Sequence, residues 1–128
     1  MRTFGSELPE VLSSLIGLRY SAGERDFTGL DIVDPLGSAP LRGGALNGAD
    51  FSGAFVMVDF QDADLRRARF VGANLKTCSF AGADLRGADF RDAALDGTTF
   101  VGAQLDGCSF VGAHIQSHRL LGSEQPDW

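Results

Sequence analysis

Few side chains in this 128-residue chain could do chemistry. Cys78 and Cys108 are its two cysteines, His114 and His118 its two histidines, and Asp62/Asp64, Asp84/Asp89 and Asp92/Asp96 form close acidic pairs. Thiols and imidazoles could serve as nucleophiles or zinc ligands, and paired carboxylates as general acid and base. Each use demands convergence on one point. No phosphate-cradling glycine loop, GxSxG elbow or Cys/His dyad accompanies them. Whether any of these groups meet depends on the backbone that carries them.

That backbone is periodic. From Val58 to Gly122 the chain runs in blocks of five, such as ADLRR, ARFVG, ANLKT, CSFAG, ADLRG and ADFRD. The centre of each block is large and apolar: Phe60, Leu65, Phe70, Leu75, Phe80, Leu85, Phe90, Leu95, Phe100, Leu105, Phe110, Ile115 and Leu120. A small residue, usually Ala, stands two positions before each centre. Neither a helix nor a plain strand makes this period, whereas a solenoid does. Four blocks make a twenty-residue square turn, with the centre and the small residue pointing inward and the residues flanking the centre pointing outward. Phe60, Phe80 and Phe100 then form one core column and Phe70, Phe90 and Phe110 the opposite one. Leu65, Leu85 and Leu105 line a third side, and Leu75 and Leu95 the fourth.

Upstream, Phe27 and Ile32 begin the rhythm. It slips at Leu36, continues through Leu41, Leu46 and Phe51, and slips again within Ala54–Met57, where either Phe55 or Val56 points inward. Counting across both slips predicts first and second turns of 19 residues each, Phe27 to Leu46 and Leu46 to Leu65, with the short sides stacked. About five coils result. Residues 6–19 read as a short amphipathic helix with Ser6 as N-cap and a stripe of Leu8, Val11, Leu12, Leu15, Ile16 and Leu18, suited to cover the open first coil. The expected organisation is a helical cap and lead-in turn over 1–24, the repeat over 25–122 and a short tail over 123–128.

The A(D/N)LXX blocks resemble the pentapeptide repeat family. That resemblance implies an all-β solenoid, a right-handed quadrilateral β-helix, here with a short N-terminal α-helical cap. It also implies two functional readings. One is a non-catalytic scaffold or protein–protein interaction module of unassigned partner. The other is a DNA-mimicking protein that binds a type II topoisomerase (gyrase) and protects or inhibits it, with Asp64, Asp84 and Asp89 as the mimicking acids.

In this geometry Cys78 and Cys108 replace inward alanines on opposite sides and read as buried thiols. His114 faces out and His118 in around a corner, so they share no metal. The acids lie on a convex rod, most with basic neighbours. We therefore expect no enzyme activity, no cofactor and no metal site. The net charge of −6 is evenly spread, −2 in each of 1–42, 43–122 and 123–128, and offers no basic stripe for direct nucleic-acid binding. No apolar run approaches the ~18 residues of a membrane span. With two unclustered cysteines and no signal-like start, a cytoplasmic protein is expected.

The outward columns mostly compensate: Asp64, Asp84 and Gln104 face Arg66, Arg86 and Asp106, and Asp50, Arg69, Asp89 and Ser109 form a mixed ladder. The side around Phe80, Phe100 and Leu120 differs. Ser79, Thr99 and Arg119 stand beside Ala81, Val101 and Leu121, charge-poor except for Arg119, and form the candidate interaction face. Leu120, Leu121 and Trp128 near the open last coil suggest a homodimer, end-to-end or face-to-face, or Trp128 folded over that coil.

Overall fold

A coil of the square β-helix closes when its chain returns beneath itself in parallel register, and the pairing shows where that happens. The structure, a computed structural model, describes residues 16–33, 41–115 and the backbone of 118–119. Asp64 pairs in parallel with Asp84, Arg69 with Asp89, Asn74 with Ala94 and Ser79 with Thr99, each 20 residues apart. The rungs alternate direction: Leu65 N–H donates to Asp84 O at 2.8 Å, and Asp84 N–H donates back to Ala63 O at 3.0 Å. Two three-residue strands, β1 (Asp31–Val33) and β2 (Phe55–Met57), pair in the same parallel sense.

Inside, identical centres stack. Phe27, Phe51, Phe70, Phe90 and Phe110 form one column with ring centroids 5.0–5.4 Å apart and nearly parallel planes. Phe60, Phe80 and Phe100 form the opposite column at 5.2 Å. Each ring also meets rings of the other column edge-on, as Phe80 meets Phe70 at 5.5 Å and Phe90 at 5.6 Å. The leucine columns fill the remaining two sides, and every one of these phenylalanines is buried. Burial of each such side chain is worth roughly 1.5–3 kcal/mol, and the ring contacts add ~0.5–1.5 kcal/mol apiece.

The corners follow one rule. The N–H of the small residue donates to the preceding centre, as Ala68 N–H does to Leu65 O at 3.0 Å, and the second residue between them takes positive φ. This is the type II turn pattern, which favours glycine there. Asp62, Arg67, Thr77 and Asp92 occupy that position without being glycine, at φ of 60–64°.

Four expectations need correction. The first coil is 24 residues, not 19: Asp26 pairs with Asp50, and Phe27 stacks on Phe51 rather than joining a column with Leu46. Extra chain between Ile32 and Leu41 loops out of the coil, so Leu36 is not counted into it, and Leu36 itself lies outside the described residues. Only the second coil is therefore short: Phe55 pairs with Asn74 across 19 residues, while Asp59 pairs with Ser79 across 20. Val56, buried beside Ile32, is the inward residue, and Phe55 is half-buried on the outside.

At the start, helical chain spans 16–21 with Ile16 buried, but Leu18 is 65% exposed and leaves the expected stripe. Its place against the rod is taken by Arg19, whose guanidinium lies 5.7 Å from the Phe27 ring, and by Tyr20. At the far end, β3 (His114–Ile115) and β4 (His118–Arg119) pair antiparallel, where continued rhythm predicts another parallel rung. With no described coil beyond, Ile115 pairs with the returning chain instead. The expected helix over 6–15, Leu120, Leu121 and the tail 123–128 lie outside the described residues.

An Asp in place of Phe90 puts a carboxylate between four rings, and the expected result is loss of soluble folded protein. A stable Phe90→Asp protein by circular dichroism would refute the column. Thr77→Gly, which removes a β-branched residue from left-handed backbone, should raise unfolding free energy by ~1 kcal/mol in a urea titration.

Candidate functional site

The residue before each centre projects outward, and its side chain can reach over the centre to the N–H beyond it. Asp50 accepts from Ser52 N–H at 2.9 Å and Asp59 from Gln61 N–H at 2.8 Å. In Asp64-Leu65-Arg66, Asp84-Leu85-Arg86 and Asp89-Phe90-Arg91 the same carboxylate is also gripped by the arginine two positions on, which shares its face. The grip is bidentate: Arg86 Nε and Nη2 donate to Asp84 at 2.8 and 2.6 Å, and Arg66 and Arg91 repeat it at Asp64 and Asp89. Arg66 also reaches Asp84 across the coils at 3.9 Å, and Arg69 reaches Asp50 at 3.8 Å.

These bonds set the charge state. Hydrogen bonds from Arg66 hold the Asp64 carboxyl below the ordinary carboxylate range, and those from Arg86 do the same at Asp84. At Asp89 burial pushes the other way, but the Arg91 bonds prevail and the carboxyl is again lowered. Each pair therefore stabilises the fold above the unfolded aspartate range, and that contribution disappears as pH falls through the lower folded value. Exposed arginines keep each pair's worth to ~0–1 kcal/mol.

The other chemical candidates do not converge. Asp84 and Asp89 sit on adjacent sides of the square, each with its own arginine. His114 is exposed on β3, and His118 is described by backbone alone. Cys78 and Cys108 are free thiols on opposite sides. Burial pushes the Cys78 thiol up to about 12 and the Cys108 thiol up to about 11, so neither offers a thiolate nucleophile near neutrality. Among the described residues no cluster of three or more His, Cys, Asp or Glu is placed to hold a metal ion, and no helix is long and apolar enough to cross a membrane.

The small inward position does something the sequence pattern hides. Cys78 Sγ donates to Val56 O at 3.1 Å, Cys108 Sγ to Leu85 O at 2.9 Å and Thr98 Oγ1 to Leu75 O at 2.7 Å. Each reaches a centre carbonyl of the previous coil, so a buried polar atom finds a partner where alanine offers none.

The charge-poor side has its own cause. Asp59, Ser79 and Thr99 stack there, and on the latter two coils a hydroxyl does the carboxylate's work: Ser79 Oγ accepts from Ala81 N–H at 3.3 Å and Thr99 Oγ1 from Val101 N–H at 3.4 Å. No charge stands there to be answered, and apolar Ala81 and Val101 replace the arginine, with Val101 61% exposed. Toward the first coil the side is not free of charge, as the repeat pattern suggested: Asp59 binds Arg42 at 2.6 Å. That pair escaped the sequence reading because Arg42 falls before the register settles. Leu121 and the Arg119 side chain lie outside the described residues. On another side, Asn47, Gly48, Arg66, Arg67 and Arg86 line an open cleft of about 430 Å³.

Replacing Arg86 with Ala should move the Asp84 titration midpoint upward toward the ordinary aspartate value, read by carboxyl-carbon NMR. The acid-unfolding midpoint should rise with it. An unmoved Asp84 would show that Arg86 does not set its charge.

A model of pentapeptide repeats, in 8 copies, matches residues 59–95, 77–112 and 88–120. A search of curated proteins finds no match. Among solved structures the chain is similar to a trypsin-treated form of QnrB1, a plasmid-mediated fluoroquinolone resistance protein, at 26% identity and TM-score 0.50, covering 72% of this chain and 47% of that one. It is also similar to alr5209, a pentapeptide repeat protein from Nostoc PCC 7120, at 28% identity and TM-score 0.44, covering 88% and 87%. HetL, a pentapeptide repeat protein involved in heterocyst differentiation regulation in Nostoc, matches at 24% identity and TM-score 0.42 over 72% of this chain. The chain spans 41% of the HetL structure and 47% of the QnrB1 structure.

Proposed function

Since this chain belongs to the pentapeptide repeat family, we propose that it is a non-catalytic scaffold that binds a partner protein through the charge-poor side of its rod. One observation carries this reading: Ser79 and Thr99 stack beside Ala81 and exposed Val101 on a flat side without arginine or carboxylate over two coils. Such a strip is suited to a protein surface, and the Arg42–Asp59 pair bounds it at one end.

Mimicry of duplex DNA toward gyrase is the competing reading. It needs rows of unanswered carboxylates along the rod. Asp64, Asp84 and Asp89 are each held by an arginine, and this favours the scaffold over the mimic.

A pull-down from native lysate should capture a protein with the wild-type chain and lose it with Val101→Asp, whose circular dichroism should match wild type. Gyrase supercoiling should be unaffected by stoichiometric amounts of either protein. Inhibition of supercoiling, together with unchanged capture by Val101→Asp, would reverse the assignment.

A further inference from the structure

The chain joins the rod on the Phe27 side, so the stretch Gly44–Gly48 in the first coil has no coil beneath it. Its upward bonds are complete. Leu46 N–H donates to Asp64 O at 2.8 Å, Gly48 N–H to Arg66 O at 2.8 Å, and Gly44 O accepts from Asp64 N–H at 2.9 Å. In a parallel strand successive residues present their N–H and C=O to opposite edges. The groups facing away from the rod are therefore Ala45 N–H, Ala45 C=O and Asn47 C=O.

One of the three is occupied. The Tyr20 hydroxyl donates to Asn47 O at 2.6 Å and lies 2.7 Å from Asn47 Oδ1. Ala45, which is exposed, has no hydrogen bond on either backbone group among the described residues. In front of it is a cleft of about 360 Å³, lined by Gly17, Tyr20, Ser21 and Arg25 across from Gly44–Leu46, with Leu41 beside them. The helical wall leaves room for one extended strand, not for a whole coil.

The cleft also has a charge preference. The Arg25 guanidinium lies 3.6 Å from the Tyr20 ring centroid and donates to Tyr20 O at 3.0 Å and Glu24 O at 2.9 Å. The nearby Glu24 carboxylate is engaged by Arg19 at 2.6 Å, and no carboxylate pairs with Arg25 among the described residues. A fixed cation thus stands beside an open strand edge.

We propose that this edge binds an acidic extended segment of a partner protein by strand addition. The segment runs parallel to Gly44–Gly48, as every rung of the rod does. It exchanges hydrogen bonds with Ala45 N–H and C=O, sets a leucine-sized side chain below Leu46, and offers a carboxylate to Arg25. This site is separate from the Val101 side, and the two stand or fall independently.

The test uses the full chain, ¹⁵N-labelled, titrated to millimolar concentration with the blocked peptide Ala-Asp-Leu-Arg-Gly, which can cover only one side of the square. The Ala45 amide resonance should shift and its hydrogen exchange should slow. Ala45→Pro removes an N–H that no internal bond uses, and it should weaken binding about tenfold without changing the melting curve. Exchanging the peptide's Asp for Asn should weaken binding by about two- to fivefold, and Arg25→Ala should remove that difference. This cycle in the otherwise wild-type chain decides the matter even where the proline variant does not fold. Three results would overturn the proposal. An Ala45 amide already protected in the free protein means the chain covers its own edge. Protection that grows with protein concentration means a second copy does. Peptide shifts retained in Ala45→Pro place the peptide elsewhere.

Discussion

The structure depends on a constraint of perimeter. Rings stack 5.0–5.4 Å apart only if each coil returns its phenylalanine directly beneath the last, and the backbone rungs require the same return. A coil can therefore vary in length only where the variation can be expelled or absorbed locally. The first coil expels its excess between Ile32 and Leu41, and Phe27 still stacks on Phe51 at 5.4 Å. The second absorbs its deficit between Phe55 and Asp59, where the pairing offset changes from 19 to 20 residues. Alternation of the two phenylalanine columns then locks opposite sides together, since each ring touches the edges of its neighbours across the axis.

The same constraint shapes the surface. Because each outward position sits at a fixed distance from the next N–H around its centre, one acceptor per side is in demand. Aspartate meets that demand and brings a charge, which an arginine two residues on then neutralises. Serine or threonine meets it without charge. The difference between the ion-paired sides and the Ser79–Thr99 side thus begins as a choice of backbone acceptor. Surface character is a by-product of turn chemistry.

Most of the core was legible in the sequence, because a five-residue period leaves little freedom from Phe60 to Phe110. The columns, the inward cysteines and the Asp50–Arg69–Asp89–Ser109 ladder follow from register alone. Where register breaks, counting fails. A net offset between Phe27 and Leu46 looked like a short coil, but nothing local in that segment tells chain within a coil from chain looped out of it. Leu18 misled because helical spacing identifies an apolar stripe but not which neighbours cover it, and Arg19 stacking on Phe27 changes the answer. The Arg42–Asp59 pair and the open Ala45 edge are products of how the first coil closes, so no motif announces them.

The regular coils have a further property. The stretches 70–89 and 90–109 present the same core residues, the same corner geometry and the same rungs to their neighbours above and below. Nothing in either one specifies its place in the stack. Rod length is therefore information held only by the terminal segments, at the Arg19–Tyr20 junction and the β3–β4 hairpin. Descendants of this chain can gain or lose whole twenty-residue coils while keeping a seamless interior, and each such step would move the two ends apart or together by one strand spacing.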